Sequence, residues 1–411
     1  MTFLSFLRTN WLFLLAGVLL SFSSSYGQTF FIALFSDQIR AELSLTHGQW
    51  GGLYTIATSA SAALMLWAGA LTDRFRIRRL AGFVMAGLAL ACVAMAGVAS
   101  VPMLVLTIFA LRFFGQGMMS QLSTVAMARW FVATRGRALS IAAMGFALGQ
   151  AVLPISFVAL AEIAPWRWLW VLAAGLVLIA LPVVQRLLRA ERTPQSFTDA
   201  EVSAGIGGRH WTRGEMLRHP LFWCLVPLLL GPPAWGTVLW FQQVELVAEK
   251  GWTLAGFVAL LPLFTAVTVA VTLTSGLAID RFGPMRMLRL FLFPFAAAFA
   301  LMAWAPSLGA AALALVVMAL GQGMAGTVVS AFWAEVYGTR FIGAIKAVNA
   351  AIMVLGSALG PGISGALLDR GIGMEVQFIA FAIYFVVAAA LAWGALALFA
   401  RPARVPSSGP A

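Results

Sequence analysis

The sequence predicts an all-α membrane protein, with twelve transmembrane helices in two pseudo-symmetric six-helix bundles. Three observations predict it. Hydrophobic residues make up 62% of the 411 and charged residues 10%, with a mean hydropathy of +0.95, whereas a soluble chain carries about a quarter charged residues. Short motifs recur at close to half the chain length: Gly69-Ala70-Leu71-Thr72-Asp73-Arg74-Phe75 returns as Gly276-Leu277-Ala278-Ile279-Asp280-Arg281-Phe282, with the aspartates 207 residues apart. Gly115-Gln116-Gly117-Met118 returns at Gly321 after 206 residues, and Gly145-x-x-x-Gly149 at Gly356 after 211. Ordered pairs with a small drift in offset mark a duplication. The third observation is that lysine and arginine crowd alternate loops.

Spans of about 20 apolar residues run over 11–35, 47–71, 78–100, 102–127, 137–161 and 166–188, then 221–246, 253–278, 286–305, 308–333, 344–368 and 374–399. The first has the outline of a secretory leader, an apolar run ending in Ser21-Phe22-Ser23-Ser24-Ser25. Apolar character resumes at Phe30, however, and the repeat needs an uncleaved first helix, so a spanning helix is expected whose serines face a cavity. The domains are then a bundle over 1–188, a polar linker over 189–219, a second bundle over 220–400 and a tail over 401–411. Of the basic residues, 21 fall on the side of the termini and the linker, and 4 (Arg40, Arg167, Lys250, Arg370) on the other. By the positive-inside rule both termini are expected in the cytoplasm, with the protein in the cytoplasmic (inner) membrane. The net charge of +12 is thus topological, and no nucleic-acid partner is expected. Cys92 and Cys224 sit in apolar runs without disulfide or zinc spacing, and no metal or cofactor is expected.

The Gly-x-Leu-x-Asp-Arg-Phe segment between helices 2 and 3, with its echo between helices 8 and 9, resembles the major facilitator superfamily over essentially the whole chain. The resemblance implies a gate on the cytoplasmic side. Gly69 and Gly276 would allow close helix approach, and Asp73 would meet the start of helix 11 near Gly343 together with Arg129, as the dipole of a helix N-terminus favours. Arg74, Asp280 and Arg281 belong to the same expected gate. One departure is Arg76, where the family has glycine; the second copy keeps Gly283. Ala128-Arg129-Trp130-Phe131 followed by Arg135-Gly136-Arg137-Ala138 looks like the branch holding monocarboxylate and oxalate/formate carriers.

Arg112 is the one basic residue in no loop. At 1.5 Å per residue, ten residues into its helix is about 15 Å deep, near mid-bilayer, where insertion costs arginine about 2.5–3.5 kcal/mol. It must therefore face the protein interior. Its counterpart 206 residues on is Met318, so the second half has no equivalent cation. Two roles stay open: binding an anionic group through its planar fork, or a structural one, satisfied by backbone carbonyls or glutamine. Other candidate lining residues are Tyr26, Gln28, Tyr54, Gln116, Gln150, Trp240, Gln243, Gln322 and Asn349. Gly231-Pro232-Pro233 is expected to break helix 7 at mid-span.

Two homologous halves imply rocking-bundle transport. An interior arginine without an interior carboxylate points to a small organic anion as cargo, moved by secondary active transport with proton coupling; the alternative is an efflux permease for drugs or metabolites. A monomer in the lipid bilayer is expected. An enzyme is not: Gly362-Ile363-Ser364-Gly365 resembles an intramembrane serine-protease motif, but a base is required and His47, His210 and His219 all lie in loops or at helix ends. No phosphate-binding loop of an ATP-driven pump is present.

Overall fold

The computed structural model describes residues 3–68, 71–131, 135–189, 204–338 and 340–399. The long helices are α1 (Phe3–Ser23), α2 (His47–Ala68), α3 (Ile77–Ala96), α4 (101–130), α5 (Arg135–Ala161), α6 (Trp166–Leu187), α7 (Pro220–Phe241), α8 (Leu261–Phe282), α9 (Pro284–Leu290 continued by Phe293–Ala303), α10 (Leu308–Tyr337), α11 (Ile342–Leu368) and α12 (Met374–Phe399). Among the described residues, eleven helical segments are long and apolar enough to cross a membrane. The exception is α2, whose 22 residues suffice in length but include Gln49, Gly51, Gly52, Thr55, Thr58 and Ser61. Polar and small residues there lower its hydropathy because much of its surface meets protein.

The chain divides into two compact units: Met1–Thr198 with Thr237–Thr265 and Ala358–Met374, and Asp199–Gly236 with Ala266–Ser357 and Glu375–Ala411.

In the first unit α1 packs along α5, and α3 along α6. Small residues permit the first contact. A Cβ on Gly145 would lie 2.1 Å from the Val18 carbonyl oxygen, and one on Gly149 2.1 Å from Ser25 Oγ, so both glycines of the expected Gly-x-x-x-Gly pair allow close backbone approach. Arg167 holds the loop after α3, donating from Nη1 to Ala96 O at 2.5 Å and from Nη2 to Val98 O at 2.6 Å and Glu42 at 2.8 Å. A cation there satisfies carbonyls at a helix C-terminus and complements its dipole.

The first span is not the continuous helix over 11–35 that hydropathy suggests. It stops at Ser23, tightens into a 3₁₀ turn at Ser24–Gly27, opens to an extended residue at Gln28 (φ −87°, ψ 153°), and resumes at Thr29–Ile32. The cause is a backbone contact. A Cβ on Gly27 would sit 2.1 Å from Leu111 O and 2.7 Å from Gly115 Cα, so α1 touches α4 there without side chains between.

A second seam in this unit joins α2 to residues 358–369. Thr55 Oγ1 donates to Ala358 O at 2.6 Å, and a Cβ on Gly51 would lie 2.3 Å from Pro361 O. Gly362 faces Thr55, and a Cβ on Gly365 would lie 2.3 Å from His47 O. Farther along the unit, Trp50 stacks on Phe241 at 5.6 Å and Tyr54 tilts against it at 4.6 Å, pairs worth about 0.5–1.5 kcal/mol each beyond their buried area.

In the second unit α9 packs on α10. The expected interruption of α7 at Gly231 is absent: Pro227, Pro232 and Pro233 all lie inside one helix. The proline sites are held by aromatic neighbours, with the Tyr384 hydroxyl on Pro227 O at 2.8 Å and the Tyr384 and Phe385 rings filling the space beside Gly231. The chain instead breaks about three turns later, at Gln242 (φ −96°, ψ 20°), before Gln243–Lys250. Residues 204–219 of the central polar segment fold onto the end of α10. The Trp211 amide donates to Tyr337 O at 3.2 Å, the Trp211 ring meets His219 and Tyr337 edge-on, and Thr212 and Glu215 form a capping box for Arg213–Arg218.

Candidate functional site

Two distorted helices meet inside the first unit. α4 is α-helical over Val101–Leu111, widens to a π-helix over Arg112–Met119, and returns to α over Ser120–Trp130. A π segment inserts an extra residue per turn and is found mostly at functional positions. This one begins at Arg112, opposite the break in α1.

The Arg112 side chain is 1% exposed. Its Nη1 donates to Gly27 O and to Thr29 Oγ1, each at 3.2 Å, using a carbonyl and a hydroxyl on either side of the extended Gln28. Thr29 Oγ1 shares a hydrogen bond with the Tyr54 hydroxyl at 2.6 Å, and the guanidinium carbon lies 5.4 Å from the Tyr54 ring centre. Its Nε and Nη2 have no hydrogen-bond partner among the described residues, and no carboxylate there forms an ion pair with it. One edge of the fork thus holds the α1 break, and the other retains unused donors among the described residues. A buried charge so poorly compensated is costly, and such costs concentrate where a ligand completes the set.

Other expected residues gather around it. Gln243 donates from Nε2 to Phe30 O at 3.1 Å while its Oε1 has no partner, and both it and Gln242 are buried. Gln28 and Gln116 line a cavity of about 400 Å³. Tyr26 is instead packed in an aromatic cluster, 5.2 Å from Phe31 and 6.4 Å from Phe157. Trp240 meets Phe264 edge-on at 5.0 Å, and Gln150 is buried on α5. In the second unit Gln322 is exposed, and Asn349 Nδ2 contacts Met353 Sδ at 3.6 Å with Oδ1 unpartnered.

Of the expected gate, Gly69 and the side chains of Asp73, Arg74, Arg129 and Asp280 lie outside the described residues. Arg281 is exposed over the Phe282 ring, and a Cβ on Gly276 would meet no atom within 4 Å. Among the described residues Gly276 marks no close helix contact. Residues the sequence reading passed over include Gly27 and Thr29. Thr29 had a signal: it is the first aliphatic hydroxyl after the serine run and directly follows Gln28.

Broken helices meeting around an interior cation, in a bundle of lipid-crossing helices, define a membrane carrier. The chain belongs to the Major Facilitator Superfamily, whose family model matches residues 17–349. A bacterial homologue of the human lysosomal transporter Spinster, in an inward-facing and unoccupied conformation, superposes with a TM-score of 0.73 at 18% identity, over 93% of this chain and 96% of that one. The nucleoside transporter NupG gives 0.72 at 15% identity, over 93% and 99%. At such identities the likeness is one of fold. No curated protein sequence matches the chain. The protein is a multi-pass membrane transporter rather than an enzyme.

Proposed function

We propose that the protein is a secondary active transporter for a small organic anion, working by alternating access of its two sequence-related halves. The observation that carries this reading is Arg112: buried, mid-helix, with Nε and Nη2 unpartnered. A carboxylate is the group that accepts two parallel N–H bonds from such an edge. The Lys/Arg asymmetry supports cytoplasmic termini in the inner membrane of a monomeric carrier, and the Arg129–Ala138 segment supports the monocarboxylate and oxalate/formate branch. Protons are the proposed coupling ion. Their entry is supported by His47 and Glu245, whose Nε2 and Oε2 lie 3.4 Å apart at the arginine-poor ends of their helices. Asp73 and Asp280, each before basic residues, are proposed as gating carboxylates on the arginine-rich side.

The test is uptake of labelled carboxylates, neutral sugars and cationic dyes into proteoliposomes at varied external pH. Carboxylate uptake should rise on external acidification and vanish in Arg112→Ala at unchanged protein abundance. Full carboxylate uptake by that variant, or uptake of dyes alone, overturns the reading.

A further inference from the structure

The cavity lined by Gln28 and Gln116 has two unlike walls. One is built from α1, its break and α4, and it presents Ser21, Gln28, Gln116 and Ser120. Among the described residues none of these four side chains makes a hydrogen bond. Their neighbours Ser123 and Thr124, also on this wall, are already committed, to Gly17 O at 2.9 Å and Ser120 O at 2.8 Å. The opposite wall is α5, and it is wholly apolar: Leu139, Ala142, Ala143 and Phe146. The Phe146 ring is steadied edge-on by Phe30 at 5.8 Å. Among the described residues no acidic or basic side chain lines the space. At about 400 Å³ it falls in the range of small-molecule clefts, ~300–1,000 Å³.

Each wall selects a different face of a ligand. Two amides and two hydroxyls without partners are both donors and acceptors, so they are matched by groups that are also both, namely hydroxyls. An aliphatic chain there would leave four polar groups dry, each at a real desolvation cost. The aromatic and methyl wall is matched by a C–H face. A molecule with a hydroxylated edge and an apolar face is a polyol or sugar skeleton.

Arg112 is not among the described residues that line the cavity; two of the lining amides stand close to it in the chain. Gln28 follows Gly27, whose carbonyl Arg112 holds, and Gln116 stands four residues beyond Arg112, within one turn of the same π-helical segment. We infer that the cargo is a small polyhydroxylated carboxylate, an aldonate or uronate in class, with its carboxylate at Arg112 and its hydroxyls along Gln28, Gln116 and Ser120. This rests on the anion reading of Arg112 and adds to it the other end of the molecule.

The experiment uses the purified full-length chain and six probes: gluconate and glucuronate, hexanoate and benzoate, glucose and myo-inositol. Thermal stabilisation and calorimetric titration should show binding of the two sugar acids and little of the other four. Gln116→Leu and Ser120→Ala should each weaken gluconate about fivefold to tenfold, the worth of one hydrogen bond. Binding of hexanoate or benzoate as tight as gluconate overturns the hydroxyl inference and leaves the anion reading standing. Glucose or myo-inositol binding as tight as gluconate overturns the anion reading as well. Absence of binding by both sugar acids, or an unchanged gluconate affinity in both variants, overturns the inference.

Discussion

The Asp369 carboxylate, at the end of α11, accepts hydrogen bonds from the Thr46 hydroxyl at 2.7 Å and the Gly48 amide at 2.9 Å. Thr46 is the residue before α2, and its hydroxyl in turn accepts from the Gln49 amide at 3.1 Å. One carboxylate thus serves an orphan N–H of the first turn and sits at the positive end of the helix dipole. Helix α2 is capped by a residue more than three hundred positions away in sequence, from the other repeat. Gly48 is the necessary partner, since a Cβ there would lie 2.4 Å from that carboxylate oxygen.

Removing the carboxylate should therefore loosen this seam. Asp369→Ala is expected to cost about 1 kcal/mol, the usual worth of an N-cap, and so to raise the open population of this end roughly fivefold. Hydrogen exchange at residues 46–51 should quicken, while exchange in α3 and α6 stays unchanged. Unaltered protection at 46–51 counts against the cap.

Arg112 can be split into its two edges. Arg112→Lys keeps a charge but loses the planar fork, so anion affinity should fall by about tenfold to a hundredfold while the protein still folds. Arg112→Ala also strips the Gly27 carbonyl and Thr29 hydroxyl of their donor, so its melting temperature should fall below that of the lysine variant. Equal anion affinity in wild type and Arg112→Lys counts against bidentate binding.

Gly115→Ala tests the contact between the two distorted helices. The added methyl would stand 2.6 Å from Gly27 Cα, backbone against backbone, with no side chain to swing away. Overpacking of this kind costs about 1–3 kcal/mol. Thermal unfolding should register it, and Gly175→Ala, where a Cβ meets nothing within 4 Å, provides the matched control.

His219 gives a pH dependence with a definite sign. Burial against its surroundings pushes its pKa below the ordinary 6.5, so the folded segment prefers the neutral ring. The stabilisation is full above 6.5 and is lost as pH falls through the depressed folded value. Protection of residues 204–219, taken relative to the intrinsic exchange rate at each pH, should therefore be lower at pH 5 than at pH 7.5, and His219→Gln should flatten that difference. Glu215, held low first by the Thr212 amide and then by the Thr212 hydroxyl, stays ionised in that window and keeps its capping role.

Much of the fold was legible because a membrane imposes it. Apolar length, arginine placement and repeated glycines speak for twelve helices, and Gly145, Gly149 and Gly356 do stand at close contacts. Arg112 was legible for the same reason, being too costly to place in lipid. The break at Gln28 was not, because nothing in Tyr26-Gly27-Gln28-Thr29 distinguishes a packed glycine from a helix-breaking one; the contact with Gly115 decides it. Pro232 and Pro233 misled in the opposite direction, since their helix persists when Tyr384 and Phe385 brace it from another part of the chain. The Thr46-x-x-Gln49 capping box was readable, but its third member, Asp369, was not.

The seam between α2 and residues 358–369 is made mostly of main chain and glycine, with Thr46, Thr55 and Asp369 bonding across it. Parting such a surface unlocks few rotamers and uncovers little oil, and closing it again freezes as few. In the alternating access proposed above, such a joint would part and close with little side-chain reordering.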